Sequence, residues 1–315
     1  MGSYLSLFEA MPVDIRDMAS AIVESRSFQR LGKVSFLGAI DRMSTGPKNS
    51  NNSSSGSRLD HSLGVAEIMC SICDHMSLSA GELRIAVANA LLHDVGHGPY
   101  SHSSEPFFSA VFGLNHHIAL QTIIENEDSE VSRLLKRFGL WIDYRRFVRD
   151  PWSIPAVYRL YYGSINVDTI EGIIRAAEFF NIDTSLDRSA LIGSLAREHV
   201  RVRQLDLFWD LKSCVYNEHI FAAHYATYDE AFTRTLNLLK PRIRGDHFFL
   251  NDEEFEAELG REFEDVLAGQ REEAPNVQRV RTFKIDKRAA PRQFNKLNDR
   301  YNEVKGRNEG RKHNR

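Results

Sequence analysis

Apolar residues recur along the chain at the three- and four-residue spacing of amphipathic helices. In segment 14–31 this spacing is carried by Ile15, Met18 and Ile22. Segment 82–93 (ELRIAVANALLH) is apolar on most faces, which is typical of a helix at the centre of a bundle. Further helices are predicted at 61–76, 116–125, 129–138, 168–180, 189–200, 205–215, 218–239 and 252–267. Only 280–285 alternates enough to predict a short ribbon, so the pattern favours a mainly all-α bundle.

The composition supports a cytoplasmic globular protein. The chain has 315 residues, and 42% of them are hydrophobic, which is enough for a substantial core. No apolar stretch approaches the roughly 20 residues of a membrane span, and residues 1–12 lack the pattern of a secretory signal. The 3 cysteines are too few for a disulfide framework and suit a reducing compartment. We therefore expect no contact with a membrane.

Charge divides the chain into an acidic body and a basic end. Residues 279–315 hold 13 Lys and Arg against 4 Asp and Glu, whereas the whole chain has a net charge of −3. We therefore predict a core domain at 1–240, a helical extension at 241–278 and a basic tail at 279–315. Such a tail binds nucleic acid, docks on a neighbouring subunit or remains solvated, and the sequence leaves these alternatives open. The polar segment 46–57 (GPKNSNNSSSGS) predicts a loop close to His61.

The chemistry concentrates where a buried helix ends. His93 and Asp94 follow the apolar run, and Gly96 and Gly98 then stop the helix and allow close backbone approach. Imidazole nitrogen together with carboxylate oxygen suits one hard or borderline divalent cation. Two further candidate ligands open other predicted helices, so the predicted metal-binding set has four members, His61, His93, Asp94 and Asp168.

These motifs resemble those of the HD-domain metal-dependent phosphohydrolases. Within that superfamily, the runs 58–65 (RLDHSLGV) and 92–102 (LHDVGHGPYSH) are most similar to the deoxynucleoside triphosphate triphosphohydrolases. The resemblance covers about residues 12–240, and it is weaker in the later part, through 209–232. It implies an HD-domain helical bundle, hydrolysis of a nucleotide phosphoester, and assembly into homo-oligomers.

The resemblance also implies roles for individual residues. One divalent ion, most simply manganese, iron or magnesium, with nickel or zinc also fitting the ligands, polarises the phosphate. Pocket histidines then handle protons, and a carboxylate orients one of them. These catalytic residues are His97, His102, His116 and Glu105, with His116 favoured over His117. Arg58 is expected to bind a substrate phosphate.

The sequence departs from the triphosphohydrolases after the last metal ligand. Where those enzymes have a lysine, a tyrosine and an aspartate, this chain has Thr169, Gly172 and Ala176. These departures leave the predicted metal ligands unchanged, so the expected reaction is still hydrolysis of a nucleotide phosphoester. Deoxynucleoside triphosphates are the leading substrates. Two alternatives stay open. One is a nucleotide-binding regulatory protein with little or no hydrolysis, and the other is a nucleic-acid phosphodiesterase that uses the basic tail.

Overall fold

The computed structural model describes residues 5–43, 56–73, 76–196, 201–273, 277–289 and 300–304, and these form a mainly helical bundle. The α-helices in these ranges are α1 (Val13–Glu24), α2 (Arg26–Gln29), α3 (Ala39–Met43), α4 (Arg58–Cys73), α5 (Ala80–Leu92), α6 (Glu105–Phe112), α7 (His116–Glu125), α8 (Glu130–Arg137), α9 (Trp141–Arg149), α10 (Pro155–Tyr161), α11 (Val167–Phe179), α12 (Arg188–Ala196), α13 (Val202–Cys214), α14 (Ala223–Leu238), α15 (Asp252–Leu259) and α16 (Arg261–Glu273). A π-helical turn, Val215–Ile220, follows α13, and two strands, β1 (Thr282–Ile285) and β2 (Tyr301–Val304), lie near the end. No single helix in these ranges is long and apolar enough to cross a bilayer, although the bent pair α6–α7 meets that test jointly.

The antiparallel neighbours α4 and α5 form the centre of the main core. Ser79 begins α5 with a capping box, because its hydroxyl accepts from the Glu82 amide while the Glu82 carboxylate accepts from Ser79. Every residue of α5 from Ile85 to Leu92 is buried, as the continuous apolar run predicted. Helices α1, α9, α10 and α11 pack around this pair. The buried end of α5 therefore lies inside the bundle, where it can support a site.

Several predicted helices are interrupted in the structure. The single helix expected at 14–31 stops at Glu24, because Ser25 turns to extended backbone and its hydroxyl caps α2 at the Phe28 amide. The helix expected at 252–267 is divided by Gly260, whose φ of 68° belongs to the left-handed region that favours glycine. Helices α6, α9 and α10 were not predicted. These helices have only 8, 9 and 7 residues, so each spans too few turns for a strong periodic signal.

The extension at 241–278 packs against the body through a second aromatic core. Its residues Phe248, Phe255 and Phe263 are buried with Phe108 of α6 and Phe232 of α14. The extension therefore shares this core with helices that precede residue 240.

The C-terminal strands form an antiparallel ribbon that pairs Phe283 with Glu303 and Ile285 with Tyr301. Tyr301 is fully buried against Trp209 of α13, with ring centroids 5.4 Å apart. The Arg300 guanidinium donates to the carboxylate of Asp206 on α13 at 2.6 and 2.9 Å. Part of the basic segment is thus attached to the bundle, whereas the remainder of the tail, 290–299 and 305–315, and most of the predicted loop at 46–57 lie outside the described residues.

Candidate metal centre

Three helices bring the predicted metal ligands to one end of the main core. His61 lies in the first turn of α4, and Asp168 lies in the first turn of α11. His93 and Asp94 follow the last residue of α5. Asn166 caps α11 by accepting from the Thr169 amide at 2.8 Å, which fixes where Asp168 leaves the helix.

The ligand atoms of these four residues converge. His61 Nε2 lies 3.0 Å from Asp168 Oδ1 and 3.4 Å from His93 Nε2. His93 Nε2 lies 3.4 Å from Asp94 Oδ1, and His61 Nε2 lies 3.7 Å from Asp94 Oδ2. A metal that holds each ligand at about 2.1 Å places neighbouring ligand atoms about 3.0–3.4 Å apart. The spacing and the nitrogen and oxygen donors therefore fit one divalent cation.

Both imidazoles are oriented from their far side. Nδ1 of His61 donates to the Glu171 carboxylate, and Nδ1 of His93 donates to the Ala90 carbonyl at 3.1 Å. Each Nδ1 thus carries the proton when the ring is neutral, which leaves the lone pair of Nε2 directed at the cluster. Such outer partners commonly fix the tautomer of a metal-binding histidine.

Glu171 was not predicted from the sequence. It follows Asp168 by three residues on α11, so the two carboxylates share a helix face, and this spacing is the signal that could have revealed it. Arg175 holds Glu171 in place through Nε at 2.9 Å and also donates to the Asp60 carbonyl at 2.9 Å. Gly64 of α4 makes room for this carboxylate, because a Cβ there would collide with it.

Electrostatics make the cluster strongly attractive to a cation. Burial lowers the pKa of His61, but the carboxylates of Glu171, Asp168 and Asp94 outweigh burial and raise that pKa to about 10. Burial likewise opposes ionisation of Asp94, yet His93, Arg58 and His97 hold its pKa well below the usual range. The carboxylates are therefore ionised at neutral pH, and a binding metal would displace a proton from His61.

Arg58 is engaged with the protein rather than extended towards solvent. Its guanidinium donates to Asp94 Oδ2 at 2.9 Å, to Ser101 Oγ at 2.9 Å and to the Phe36 carbonyl at 3.1 Å. The side chain is buried, although it also lines the cavity described below. Its evident structural role is to balance and position the Asp94 carboxylate.

The four predicted catalytic residues form a second group beside the ligands. Glu105 Oε2 lies 2.8 Å from His116 Nδ1 and 3.5 Å from His102 Nδ1. The His97 ring stacks on the His116 ring with centroids 4.2 Å apart and planes 11° apart. His102 is the exposed member, with 64% of its side chain accessible. His117, the alternative to His116, also faces the cavity.

His97 connects the second group to the metal ligands. It is fully buried, its Nε2 lies 3.3 Å from Asp94 Oδ1, and neither ring nitrogen has a hydrogen-bond partner among the described residues. Burial and the nearby Arg58 charge hold its pKa well below the ordinary value. Gly96 permits this arrangement, because a Cβ there would collide with the backbone of α7 at His116 and Leu120.

Both groups open into one cavity of about 210 Å³. Its lining combines the metal ligands His93, Asp94 and Asp168 with the pocket histidines, and Tyr161 and Tyr162 line the side near α10. This volume is smaller than the roughly 300–1,000 Å³ of most ligand pockets. The cavity therefore suits a phosphate and part of a nucleotide rather than a large ligand.

Phe36 stands next to the position where the triphosphohydrolases have a tyrosine. A Cβ at Gly172 would lie 3.6 Å from Phe36 Cζ and 3.8 Å from His61 Cε1. The Phe36 ring also packs against His61 and Arg58, each about 5.1 Å away. The larger tyrosine side chain would have to share space with Phe36, so this wall differs from the one that the resemblance implies.

Part of this site lies in a segment that matches a known family. Residues 58–150 match the family model of the HD domain, a range that includes His61, His93 and Asp94 but not Asp168. The chain is 30% identical over 178 residues to the uncharacterized protein YwfO of Bacillus subtilis (strain 168), an alignment that covers 54% of this chain and 38% of that protein. It is 21% identical over 269 residues to the putative HD domain-containing protein L394 of Acanthamoeba polyphaga mimivirus, covering 76% of this chain and 56% of that protein. The chain thus spans less than two thirds of either relative.

The structure is an all-α bundle in which residues 58–150 match the HD domain and His61, His93 and Asp94 form a cluster that could hold a metal ion. The comparisons support its place in the HD superfamily, whose members are generally metal-dependent hydrolases.

Proposed function

We propose that this protein is a metal-dependent phosphohydrolase that cleaves a phosphoester of a nucleotide. One observation carries the proposal: the ligand atoms of His61, His93, Asp94 and Asp168 converge, and both imidazoles direct Nε2 into the cluster. The adjoining group of histidines with Glu105 supplies groups that exchange protons, which phosphoester hydrolysis requires at the leaving oxygen.

A divalent ion, when bound, supplies positive charge for the phosphoryl oxygens and lowers the pKa of a bound water. His61, His93, Asp94 and Asp168 would hold it. Their nitrogen and oxygen donors favour manganese, iron or magnesium, and nickel or zinc is compatible with the same set.

His116 is placed to move a proton at its Nε2. Its Nδ1 donates to Glu105, whose carboxylate the neighbouring His102 and His116 keep ionised by lowering its pKa despite burial. An ionised partner stabilises the imidazolium that forms when His116 takes up a proton. His97, stacked on His116 and next to Asp94, lies between this proton carrier and the metal ligands.

Deoxynucleoside triphosphates are the first substrates to test, on the strength of the resemblance in 58–65 and 92–102. The changes at Thr169, Gly172 and Ala176 and the ring of Phe36 favour a second candidate, a nucleotide-binding regulatory protein that hydrolyses slowly. We also propose that the protein acts in the cytoplasm, as its few cysteines suggest, and that it forms a homo-oligomer, as the resemblance implies.

The test is product analysis by ion-exchange chromatography after incubation with Mn²⁺ or Mg²⁺. The panel contains deoxynucleoside and ribonucleoside triphosphates, nucleoside monophosphates and short single-stranded DNA. We expect turnover that disappears in His93→Ala/Asp94→Ala and persists in the surface control Asp143→Asn. Deoxynucleoside with tripolyphosphate would identify a triphosphohydrolase, and silence across the panel would favour the regulatory protein.

A further inference from the structure

Three aromatic rings form a column that leads away from the cavity. Tyr162, the residue that ends α10, lines the cavity and stacks on Tyr158 with ring centroids 4.7 Å apart and planes 6° apart. Tyr158 in turn stacks on Trp152, at 3.8 Å and 25°. We call Trp152, Tyr158 and Tyr162 the aromatic column. Its inner end meets the site, and its outer end is on the surface.

Local structure holds the column in place. Tyr158 lies in α10 and Tyr162 directly follows the helix, where the Tyr162 amide donates to the Tyr158 carbonyl at 3.0 Å and the two rings stack. Trp152 lies in the 3₁₀ turn Pro151–Ser153, where the Asp150 carboxylate accepts from the Trp152 amide at 3.2 Å. Even so, Trp152 is 64% exposed and Tyr162 is 40% exposed. Core packing does not account for large rings that remain this accessible.

The segment that includes the column is basic in sequence, in contrast to the chain as a whole. From 131 to 162 the chain has 7 Lys and Arg against 2 Asp and Glu, although the whole chain carries −3. The basic residues of this segment, on α8, α9 and α10, are Arg133, Lys136, Arg137, Arg145, Arg146, Arg149 and Arg159. Some form exposed pairs, such as Arg149 with Glu125, but exposed pairs are weak and give way to a phosphate at little cost.

Stacked aromatic rings interleaved with arginine are the features by which proteins bind single-stranded nucleic acid. We propose that the aromatic column and the basic segment of α8–α10 bind a single strand, whose terminal nucleotide enters the cavity. This proposal rests on the proposed function for its chemistry. Water would attack the phosphorus of the terminal phosphodiester, the P–O bond to one sugar oxygen would break, and that oxygen would take a proton. The products are one phosphomonoester and one hydroxyl end.

The size of the cavity is compatible with a ligand that extends beyond it, as a strand does. About 210 Å³ accommodates the phosphate and part of one nucleotide, so the rest of the ligand must lie outside. The exposed part of Tyr162 is the first surface outside, and Tyr158 and Trp152 support its ring from behind. A base stacked on Tyr162 would continue the column, and the phosphates that follow would meet the arginines.

Binding is tested without metal, so that it is separated from hydrolysis. The full chain is titrated in EDTA against fluorescein-labelled 12-nucleotide oligo(dT) and oligo(U), and anisotropy gives the dissociation constants. Trp152→Leu and Tyr162→Leu remove a ring, whereas Trp152→Phe and Tyr162→Phe keep one. Phe249→Leu removes an exposed ring from a different segment and serves as the matched control.

We expect each ring-removing variant to weaken binding about 5–100-fold, because one base stacked on an aromatic ring contributes about 1–3 kcal/mol. The Phe variants and Phe249→Leu should bind within about threefold of the parent. Arg146→Gln and Arg159→Gln should each reduce the slope of log affinity against log salt concentration by about one. The control Arg261→Gln, an exposed change on α16, should leave this slope unchanged.

Three results would overturn the proposal. The first is that the Leu variants bind as the parent does, and the second is that the 12-mers bind no more tightly than thymidine or uridine monophosphate. The third is that Trp152→Leu changes the oligomeric state in light scattering, which would make the column a subunit interface. Turnover of free nucleotides by a protein that binds no strand would reject this inference and keep the proposed function. Strand binding without any metal-dependent turnover would keep the binding surface and reject the proposed function together with the cleavage step.

Discussion

Glu171 accepts a hydrogen bond from Nδ1 of His61, on the side of the ring that faces away from the metal ligands. This contact sets which nitrogen of His61 is free to bind a cation. Burial opposes the ionisation of Glu171, but His61 first and Arg175 second lower its pKa, and Arg175 also orients the carboxylate. Helix α11 therefore contributes to the cluster twice. Asp168 is a predicted ligand, and Glu171 orients the ligand His61.

Glu171→Gln should weaken metal binding without removing a ligand. The amide keeps the shape of the carboxylate but loses the charge that orients and polarises His61. Loss of such a supporting partner typically costs about 10–100-fold in metal affinity. Isothermal titration calorimetry with Mn²⁺ measures the change in metal affinity. Glu178→Gln, an exposed change on the same helix, is the control, and equal affinities for the two variants would contradict the supporting role.

Gly64→Ala should produce the same defect from the opposite helix. The added Cβ would meet the Glu171 carboxylate and push it away from His61, so metal affinity should fall although no ionisable group changes. Gly81→Ala on α5 is the matched control, because a Cβ there meets nothing within 4 Å. That control should bind metal normally and gain about 0.5–1 kcal/mol of stability from the better helix former. Normal metal affinity in Gly64→Ala would show that Glu171 tolerates displacement.

The sequence predicted the four converging ligands but not the residues that organise them. His61, His93, Asp94 and Asp168 belong to motifs, and each lies at a helix end, so their types and positions are visible in one dimension. Glu171 contacts His61 because α4 and α11 pack together, and only its spacing from Asp168 hints at this in the sequence. Phe36 reaches the site from the segment between α2 and α3, and nothing in the sequence around it indicates that contact. Arg58 shows the same limit, since its three hydrogen-bond partners lie in separate segments.

Some predicted helix boundaries were wrong for a similar reason. The spacing of Ile15, Met18 and Ile22 predicted a helix, but the periodic pattern continues past Ser25, where a side-chain cap ends one helix and begins another. The central helix α5 was predicted within two residues from its apolar run alone, and the capping box at Ser79, which the prediction did not use, accounts for the earlier start.

Asp41 makes stability depend on pH in a predictable direction. Burial raises the pKa of Asp41 to about 7, against the partial compensation of the Leu37 amide, which donates to Oδ2 at 2.9 Å. A raised folded-state pKa means that the folded protein binds the proton more tightly than the unfolded chain. The contribution of Asp41 to stability is therefore largest below about pH 4 and is lost as pH rises towards about 7.

Asp41→Asn should remove this pH-dependent contribution to the free energy of unfolding. We expect the variant to gain about 1–3 kcal/mol relative to the parent at pH 8, and little or nothing at pH 4.5, because the amide carries no charge at either pH. Urea unfolding at both pH values measures the difference. Asp143→Asn, an exposed change on α9, should leave the pH dependence as it is. A gain that is equal at both pH values would mean that the effect of Asp41→Asn is unrelated to ionisation.

Arg58→Ala tests whether the arginine acts mainly on Asp94. Both side chains are buried, and their ion pair at 2.9 Å is among the closest contacts of the site. Removing one partner of a buried pair leaves an uncompensated charge, which typically costs about 3–5 kcal/mol. The metal-free variant should lose stability on this scale, and Mn²⁺ should restore part of it because the ion compensates the same carboxylate. Urea unfolding with Mn²⁺ and with EDTA measures both effects. Arg188→Ala, which breaks only the exposed pair with Glu67, should cost less than about 1 kcal/mol in either condition. If Arg58→Ala is equally unstable with and without Mn²⁺, the arginine supports the fold through Ser101 and Phe36 rather than through the charge of Asp94.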